Sequence, residues 1–522
     1  PRPQRDPARR RVLDVPHPRV PGLTMDFHNL TPAIPGFYSD PTMCAGPDGV
    51  YVAHSSFEYF PGLPVFRSTD MASFTQVGNA LDRPDQFDLQ TFAGASAGTY
   101  GSTLRYHDGR FWFITTNIGQ VTQGQAILTA TDAAGPWSDP VFVAGVVGID
   151  PDLCWDADGT CYLTWCVFGQ GIMQVTVDPE AGRMLSEPRL LWTGTGAKAP
   201  EGPHLYHVGD WWYLMIAEGG TEKGHMVNVA RSRRPDGGFE PAPQNPILTH
   251  RSTDHPVQSV GHADLVECDG RWWACYHGTR PHGMTPEYHV LGRETMVCPV
   301  EWVDGWPVFR EDQALTYDVD TILETDFTEP LGLRWTSPQG DLTNAATGPD
   351  GLVLGEGRPV VIRVQDLGWF AEADLDVSGG TGRVLVYLDD DHWYGVDVDA
   401  AGARAVGRSA PFEGEFGRAD VDNPAAVTVR LSAEVPQASP VARAQPPDVL
   451  TFSVGSGDAV TELASVDGRH ASTEVAGGFT GRTIGVQRLS GTVRVTRFRY
   501  EPVEGLPPMT LADLIAAHHD DA

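Results

Sequence analysis

The sequence predicts an all-β protein, a five-bladed β-propeller followed by a lectin-like β-sandwich. Three observations carry this. A strand–turn–strand pattern recurs five times between Cys44 and His277. Helical periodicity is almost absent from the same stretch. Beyond it, from about Leu323 to Pro502, short alternating strands continue without a further copy of the repeat.

The five copies read "CAGPDGVYVAHSS", "RYHDGRFWFITT", "CWDADGTCYLTW", "YHVGDWWYLMIA" and "ECDGRWWACYH". An Asp-Gly step between β-rich segments marks a hairpin, because glycine supplies the positive φ of the turn. The fourth copy inverts the order to Gly-Asp. The turn glycines are Gly49, Gly109, Gly159, Gly209 and Gly270, spaced 60, 50, 50 and 61 residues apart. That period matches a four-stranded propeller blade. "FRSTDMASFTQVG", "LTATDAAGPWSDP" and "VARSRRPDGGFEP" read as third strands turning toward a fourth. Since the copies stop at five, a closed ring over residues 26–315 is expected. Residues 1–25 read as a disordered lead-in without the apolar core of a signal peptide. Residues 323–505, with "GLVLG", "PVVIRVQ", "GRVLVYLDDDHWYGVDVD", "AAVTVRL", "VLTFSVG" and "GTVRVTRFRYE", form the sandwich. "PQASPVARAQPPD" is a proline-rich loop inside it. The tail, 506–522, holds "MTLADLIAAHHDDA", a candidate short helix whose His518 and His519 read as a solvated end.

Composition narrows the function. Of 522 residues, 37 are Lys or Arg and 68 Asp or Glu, a net charge of −31. Such a chain repels phosphate backbones, which argues against nucleic-acid partners. No apolar window approaches the length of a membrane-spanning helix. Seven cysteines leave at least one thiol unpaired, and no C-x-x-C pair suggests zinc. Cys154, Cys161 and Cys166 fall in strand-like segments as small buried hydrophobes. The expectation is a cytoplasmic protein, with secretion left open and homo-oligomerisation compatible with the chain.

Counting back from the turn glycines uncovers a set of ionisable residues. Asp40 and Asp150 lie nine residues before Gly49 and Gly159. Glu201 and His262 lie eight before Gly209 and Gly270. The second copy has Tyr100 or Gly101 there. The innermost strands of a propeller line its axis, so the upstream ends of these strands converge on one funnel. Asp40 precedes Pro41, which restricts its backbone. Carboxylates gathered at inner positions need pairing, a metal or a chemical role. Two carboxyl groups across a sugar are the equipment of glycoside hydrolysis: one protonated to donate to the leaving oxygen, one ionised to activate water. A third carboxylate nearby raises the proton affinity of the acid. A wide funnel favours separations of about 6.5–9.5 Å and hence inversion. Phe57, Tyr59 and Phe60 in "SSFEYFPGLPVF" and Trp155, Trp165, Trp211 and Trp212 are candidate stacking faces, most of the blade aromatics serving as core. Arg293 in "VLGRETM" could bind a hydroxyl or orient a carboxylate.

These residues resemble glycoside hydrolase family 43, in particular its β-xylosidase and α-L-arabinofuranosidase members with an appended sandwich. "PGFYSDPTM", "SSFEYFPGLPVFRSTD", "GIDPDLCWDADG", "PEGPHLY", "MIAEGGT", "VARS", "GHADLVE" and "LGRETMVCPVEWVDGWPVF" occur in the family's order over about 280 residues. The resemblance implies Asp40 as general base, Glu201 as general acid and Asp150 as the residue that modulates and orients the acid. It implies His262 as an axial histidine beside a structural calcium, no cofactor being required for chemistry. Phe57, Tyr100 and Arg293 would line the sugar subsite. The implied substrates are xylo- or arabino-oligosaccharides, cut from the chain end because the sandwich closes one side of the pocket. Two departures stand out. Tyr38 and Ser39 replace the usual Asn-Pro before the base, and Tyr100 stands where many xylosidases have tryptophan.

Two other readings exist. A non-catalytic sugar-binding propeller needs no acid–base pair. A serine carbohydrate esterase has one hook, "GASAG" around Ser96, but that motif needs a following helix, and a β-hairpin follows here. "LDDDHWYG" offers calcium ligands, though a solvated acidic turn accounts for it better.

Overall fold

Each of the five hairpins opens an up-and-down antiparallel sheet. Blade one runs through Thr42–Gly46, Gly49–Ala53, Gly62–Ser68 and Thr75–Leu81. Blade two uses Thr99–His107, Arg110–Asn117, Gln125–Ala130 and Val141–Val143. Blade three uses Ile149–Trp155, Cys161–Val167 and Gly171–Asp178, with Arg183–Met184 and Arg189–Trp192 both pairing the last of these. Blade four uses Glu201–Val208, Trp211–Glu218, Met226–Ser232 and Glu240–Pro241; blade five uses Gln258–Cys268, Arg271–Thr279, Glu294–Val303 and Trp306–Phe309. The computed structural model describes residues 31–437, 444–457 and 459–505. The lead-in, the tail and the centre of the proline-rich loop lie outside the described residues.

The first strand of each blade packs on that of the next, and blade five returns to blade one, so the ring is closed. Closure is reinforced where Ala33 N–H donates to the Thr295 carbonyl of blade five and Ile34 bridges the same residue. The second strands read as nearly unbroken apolar runs, "RFWFITTN" and "WWYLMIAE", because neighbouring blades bury both their faces. At Asp108-Gly109 and Asp269-Gly270 both turn residues take positive φ, the geometry the Asp-Gly steps predicted.

The upstream end of the innermost strand is not regular. In blades two to five its pairing slips at Thr99/Ser102, Ile149/Asp152, Glu201/His204 and Gly261/Asp264. Each slip leaves a bulge that re-aims a side chain into the funnel. Asp40, Asp150, Gly202 and His262 all take φ of 50–55°. Three of them precede proline, a context that favours extended backbone. The restriction expected from Pro41 therefore takes an uncommon, left-handed form, of the kind concentrated at functional sites.

The sandwich is built around two long strands, Trp369–Asp389 and Thr483–Pro502, whose mutual register shifts three times. Such bulges let one strand serve both layers. A single apolar core, including Trp335, Trp369, Phe452, Phe498 and Tyr500, fills the space between them. The acidic turn is tied by protein groups: Arg358 holds Asp390, Arg408 holds Asp391, and His392 bonds Asp389. The two domains are stitched together. Tyr59–Phe60 pairs with Trp335–Pro338, Arg363 donates to the Phe37 carbonyl at 3.1 Å, and Arg482 N–H donates to the Val290 carbonyl at 2.9 Å.

Candidate active site

Asp40 lies at the mouth of blade one and is 4% exposed. Its Oδ1 accepts from Arg293 Nη1 at 2.6 Å and its Oδ2 from the Ser55 hydroxyl at 2.7 Å. Burial alone would push this carboxyl up. The Arg293 guanidinium, then the charge of His262 and the hydrogen bond of His277, hold it well below the usual carboxylate range. Asp40 is thus a buried carboxylate kept ionised, with its backbone N–H 3.2 Å from His277 Nδ1.

Asp150 and His262 face each other, Nε2 to Oδ2 at 3.5 Å. Asp150 Oδ2 also accepts from the Gly202 N–H at 3.0 Å, which ties it to the residue beside Glu201. Blade two yields the space they occupy: a Cβ on Gly101 would sit 2.4 Å from Asp150 Oδ1 and 3.0 Å from His262 Nε2. Burial lowers the proton affinity of His262, but Asp40 first, then Asp150 and Glu201, raise it to about 9.

Glu201 differs from the others in place. In the bulge alignment Gly202 occupies the position of Asp40, Asp150 and His262, and Glu201 comes one residue earlier. The shared position lies nine residues before the turn glycine at Asp40 and Asp150, eight at His262 and seven at Gly202, so the spacing of eight at Glu201 combines a shorter hairpin with a place one residue upstream. Glu201 is the more open carboxylate, with 19% of its side chain exposed, and its Oε1 lies 3.6 Å from His225 Nε2.

Phe57, Tyr100 and Arg293 gather on one side, joined by a residue that sequence reasoning missed. Phe479, from the loop before the last long strand of the sandwich, stacks on Phe57 at 5.8 Å and meets Tyr100 edge-on at 5.9 Å. Arg293 lies beside both phenylalanine rings, 5.6 and 5.5 Å from their centroids. Arg293 Nε is buried without a partner. A cavity of about 730 Å³ opens beside these groups, walled by Thr221, Ser259 and Met284 of the propeller and Thr473, Glu474 and Phe479 of the sandwich. Ser96 explains the position of Phe479: its hydroxyl accepts from the Phe479 N–H at 2.8 Å. Among the described residues no histidine bonds that hydroxyl, so "GASAG" holds a loop and builds no nucleophile. Trp155, Trp165, Trp211 and Trp212 pack in or against the inter-blade cores, and Tyr59 is buried at the domain junction.

Two residues further along the same strands lies a second tier. Arg105 donates from Nη2 to Asp152 Oδ1 and from Nη1 to Asp264 Oδ2, each at 2.7 Å. Tyr206 and Thr42 donate to Asp264 at 2.6 and 2.7 Å, and His204 Nδ1 stands 3.1 Å from Arg105 Nη2. This tier decides the calcium expectation. Calcium takes six to eight oxygen ligands. Here Asp152 and Asp264 are engaged by a guanidinium, one oxygen of Asp150 accepts a backbone N–H, and among the described residues no three His, Cys, Asp or Glu side chains are grouped to hold a metal ion. The side chains alone do not fit the ligand set of a calcium ion, and Arg105 places a positive charge between two of the inner aspartates. All seven cysteines are free.

Comparisons with known proteins identify the family. The model of "Glycosyl hydrolases family 43" matches residues 30–307. A non-reducing-end α-L-arabinofuranosidase of Bacteroides ovatus is 34% identical over 491 residues, covering 87% of this chain and 90% of that one. A xylosidase/arabinosidase of Butyrivibrio fibrisolvens is 41% identical over 293 residues, 53% of this chain and 55% of that one. Among solved structures, the Bacteroides ovatus xyloglucan PUL protein GH43B superposes with a TM-score of 0.82 at 31% identity, covering 91% and 99% of the two chains. A xylan β-1,4-xylosidase of Bacillus halodurans shares the fold, with a TM-score of 0.81 at 24% identity over 90% and 99%. By its family match, its near full-length relatives and the convergence of Asp40, Asp150 and Glu201 on one funnel, this chain belongs to glycosyl hydrolase family 43.

Proposed function

We propose that the protein is an exo-acting, inverting glycoside hydrolase that releases terminal α-L-arabinofuranose, β-D-xylose or both from xylan- or arabinan-derived oligosaccharides. The observation that carries this is Asp40: a buried carboxylate kept ionised by Arg293, opening on the same funnel as the more exposed Glu201. Asp40 takes the proton of the attacking water. Glu201 gives its proton to the glycosidic oxygen on the opposite face of the sugar. Asp150 fixes the backbone next to the acid through the Gly202 N–H. Arg293, with one guanidinium edge on Asp40 and Nε unpartnered, binds a sugar hydroxyl. Phe57, Tyr100 and Phe479 wall the ring. Phe479 comes from the second domain and closes one side, which suits a chain end over a chain interior.

The relatives support the sugars named. The full-length one is named an arabinofuranosidase, and the Butyrivibrio protein carries both activities in its name. A reducing, cytoplasmic setting is in keeping with seven thiols and no disulfide. The test is a hydrolysis panel of aryl α-L-arabinofuranosides, aryl β-D-xylosides and branched oligosaccharides, with the released anomer read by NMR. Inversion is expected. A retained anomer overturns the mechanism, and no turnover on any substrate revives the non-catalytic reading.

A further inference from the structure

Two buried histidines that this mechanism leaves unused, His225 and His277, connect the two reacting carboxyl groups. His277 Nδ1 stands 3.2 Å from the Asp40 backbone nitrogen and 3.2 Å from Asp40 Oδ1. Its Nε2 is 3.2 Å from His225 Nδ1. His225 Nδ1 also lies 3.3 Å from the Ser259 carbonyl oxygen. His225 Nε2 faces Glu201 Oε1 at 3.6 Å and has no hydrogen-bond partner. The rings stack with centroids 5.0 Å apart. Glycine at 261 makes room for this: a Cβ there would lie 2.3 Å from the His225 ring.

A neutral imidazole carries one N–H and one lone pair, so each ring's tautomer dictates its neighbour's. His277 stays neutral, because burial and then Arg293 hold it well below the usual histidine range. Two arrangements follow. In the first, the Asp40 N–H donates to His277 Nδ1 and every imidazole N–H points toward Glu201, which suits an ionised Glu201. In the second, His277 Nδ1–H donates to the Asp40 carboxylate. His225 Nδ1–H then faces His277 Nε2 and the Ser259 carbonyl, and His225 Nε2 offers its lone pair to Glu201. That suits a protonated Glu201. The second arrangement satisfies the Asp40 carboxylate and the Ser259 carbonyl at 3.2 and 3.3 Å; the first satisfies the Asp40 N–H and aims one N–H at the Glu201 carboxylate from 3.6 Å, too far for a full hydrogen bond. Hydrogen bonds to a charged acceptor are roughly twice as strong as neutral ones.

We propose that His225 and His277 form a tautomeric lock, which keeps Glu201 protonated whenever Asp40 is ionised. Both are positioning residues, since neither touches the reacting atoms. The inference rests on the assignment of Asp40 as base and Glu201 as acid. Other charges surround the chain. Arg293 and His262 face Asp40, and Asp150 faces His262. Glu222, paired with Lys198, faces His225, and His262 also faces Glu201. All of these act as charges and persist when a neutral ring is removed.

The test is the pH dependence of kcat/KM for the full chain carrying His225→Asn or His225→Gln, on the aryl glycoside the wild type hydrolyses best. Asparagine reaches the Nδ1 contacts but not Glu201; glutamine reaches Glu201. The Asn variant should move the alkaline limb down by about one pH unit and leave the acidic limb in place. The Gln variant should move it less. On a 2,4-dinitrophenyl glycoside, whose leaving group needs little protonation, both should stay within about threefold of wild type at neutral pH. A profile superimposable on wild type at reduced amplitude overturns the lock, as do equal losses on both substrates. An upward shift of the alkaline limb also overturns it, because His225 would then be donating to Glu201. His277→Gln breaks the chain at its other end and carries the same readout if the His225 variants do not fold. A wild type inert on every aryl glycoside would overturn the hydrolase reading instead, so the two failures are distinguishable.

Discussion

Asp40, Asp150 and His262 stand at the upstream ends of the innermost strands; Thr42, Asp152, His204 and Asp264 stand two residues further along the same strands. Both tiers are buried and both are rich in aspartate and histidine. Their chemistry is opposite. In the lower tier Arg105 sits between two aspartates, with Tyr206 and Thr42 completing Asp264. In the upper tier Asp40 shares Arg293 with an open pocket, both ring nitrogens of His262 lack hydrogen-bond partners, and Glu201 reaches solvent. A buried charge with its full complement of partners is structure. The same charge left partly satisfied beside a cavity is available for reaction.

The sharpest way to break this contrast is Asp40→Asn. It should lower kcat by about 10²–10⁴-fold on aryl glycosides, with Tm within a few degrees of wild type. A variant keeping a tenth of the activity would place the reactive group elsewhere. Arg105→Met should do the reverse. It leaves two buried carboxylates unpaired, so urea unfolding should show a loss of about 3–5 kcal/mol, with kcat of the folded enzyme within a few-fold. Unchanged stability would show that Arg105 is not the counter-ion of the lower tier. Phe479→Ala removes the wall contributed by the sandwich and should raise KM about tenfold, or about 1.4 kcal/mol, in steady-state assays.

Stability against pH separates the tiers more finely. His262 is raised from 6.5 to about 9, so its contribution is complete below pH 6.5 and lost as pH rises through 9. Glu58, buried beside Phe57, is pushed by burial from 4.5 to about 8, so stability also falls as pH rises from 4.5 through 8. Asp40, depressed, works oppositely and loses its contribution only in acid, below the usual carboxylate range. Melting temperatures should therefore decline between pH 6.5 and 9, and His262→Asn should flatten the upper part of that decline. The smallest effect expected is none: exhaustive chelation or added calcium should leave kcat and Tm unchanged, because Arg105 already neutralises the lower-tier aspartates and no three side chains among the described residues are grouped to hold a metal. A chelator-sensitive enzyme would return calcium to the axis.

Asp40, Asp150 and His262 were legible because a regular hairpin puts them eight or nine residues before a turn glycine. The reading of Glu201 as their equivalent was less secure: the structure shifts it one residue upstream, and Gly202 holds the shared position. Bulges leave no period in a sequence. Ser96 shows the converse case, a five-residue pattern that resembles a nucleophile motif, lacks the helix the motif needs, and is used by the fold as a tether. His277 was hidden inside an apolar strand, and His225 in the polar loop just before one. Phe479 was invisible for another reason: its partner Ser96 lies 383 residues away in the chain. The calcium expected beside His262 came from resemblance; Arg105, three residues beyond the bulge of blade two, is the cation the structure places on the lower-tier aspartates.

The sequence by itself determined the all-β class, the five-fold repeat, the sandwich that follows and the phase of the axial residues, because turns and strand alternation are local properties of neighbouring residues. The tertiary structure alone decided which carboxylates are neutralised and which stay reactive, and which domain closes the pocket. Those outcomes depend on partners brought together from different blades and from the second domain, and in a low-dielectric interior the partner sets the charge.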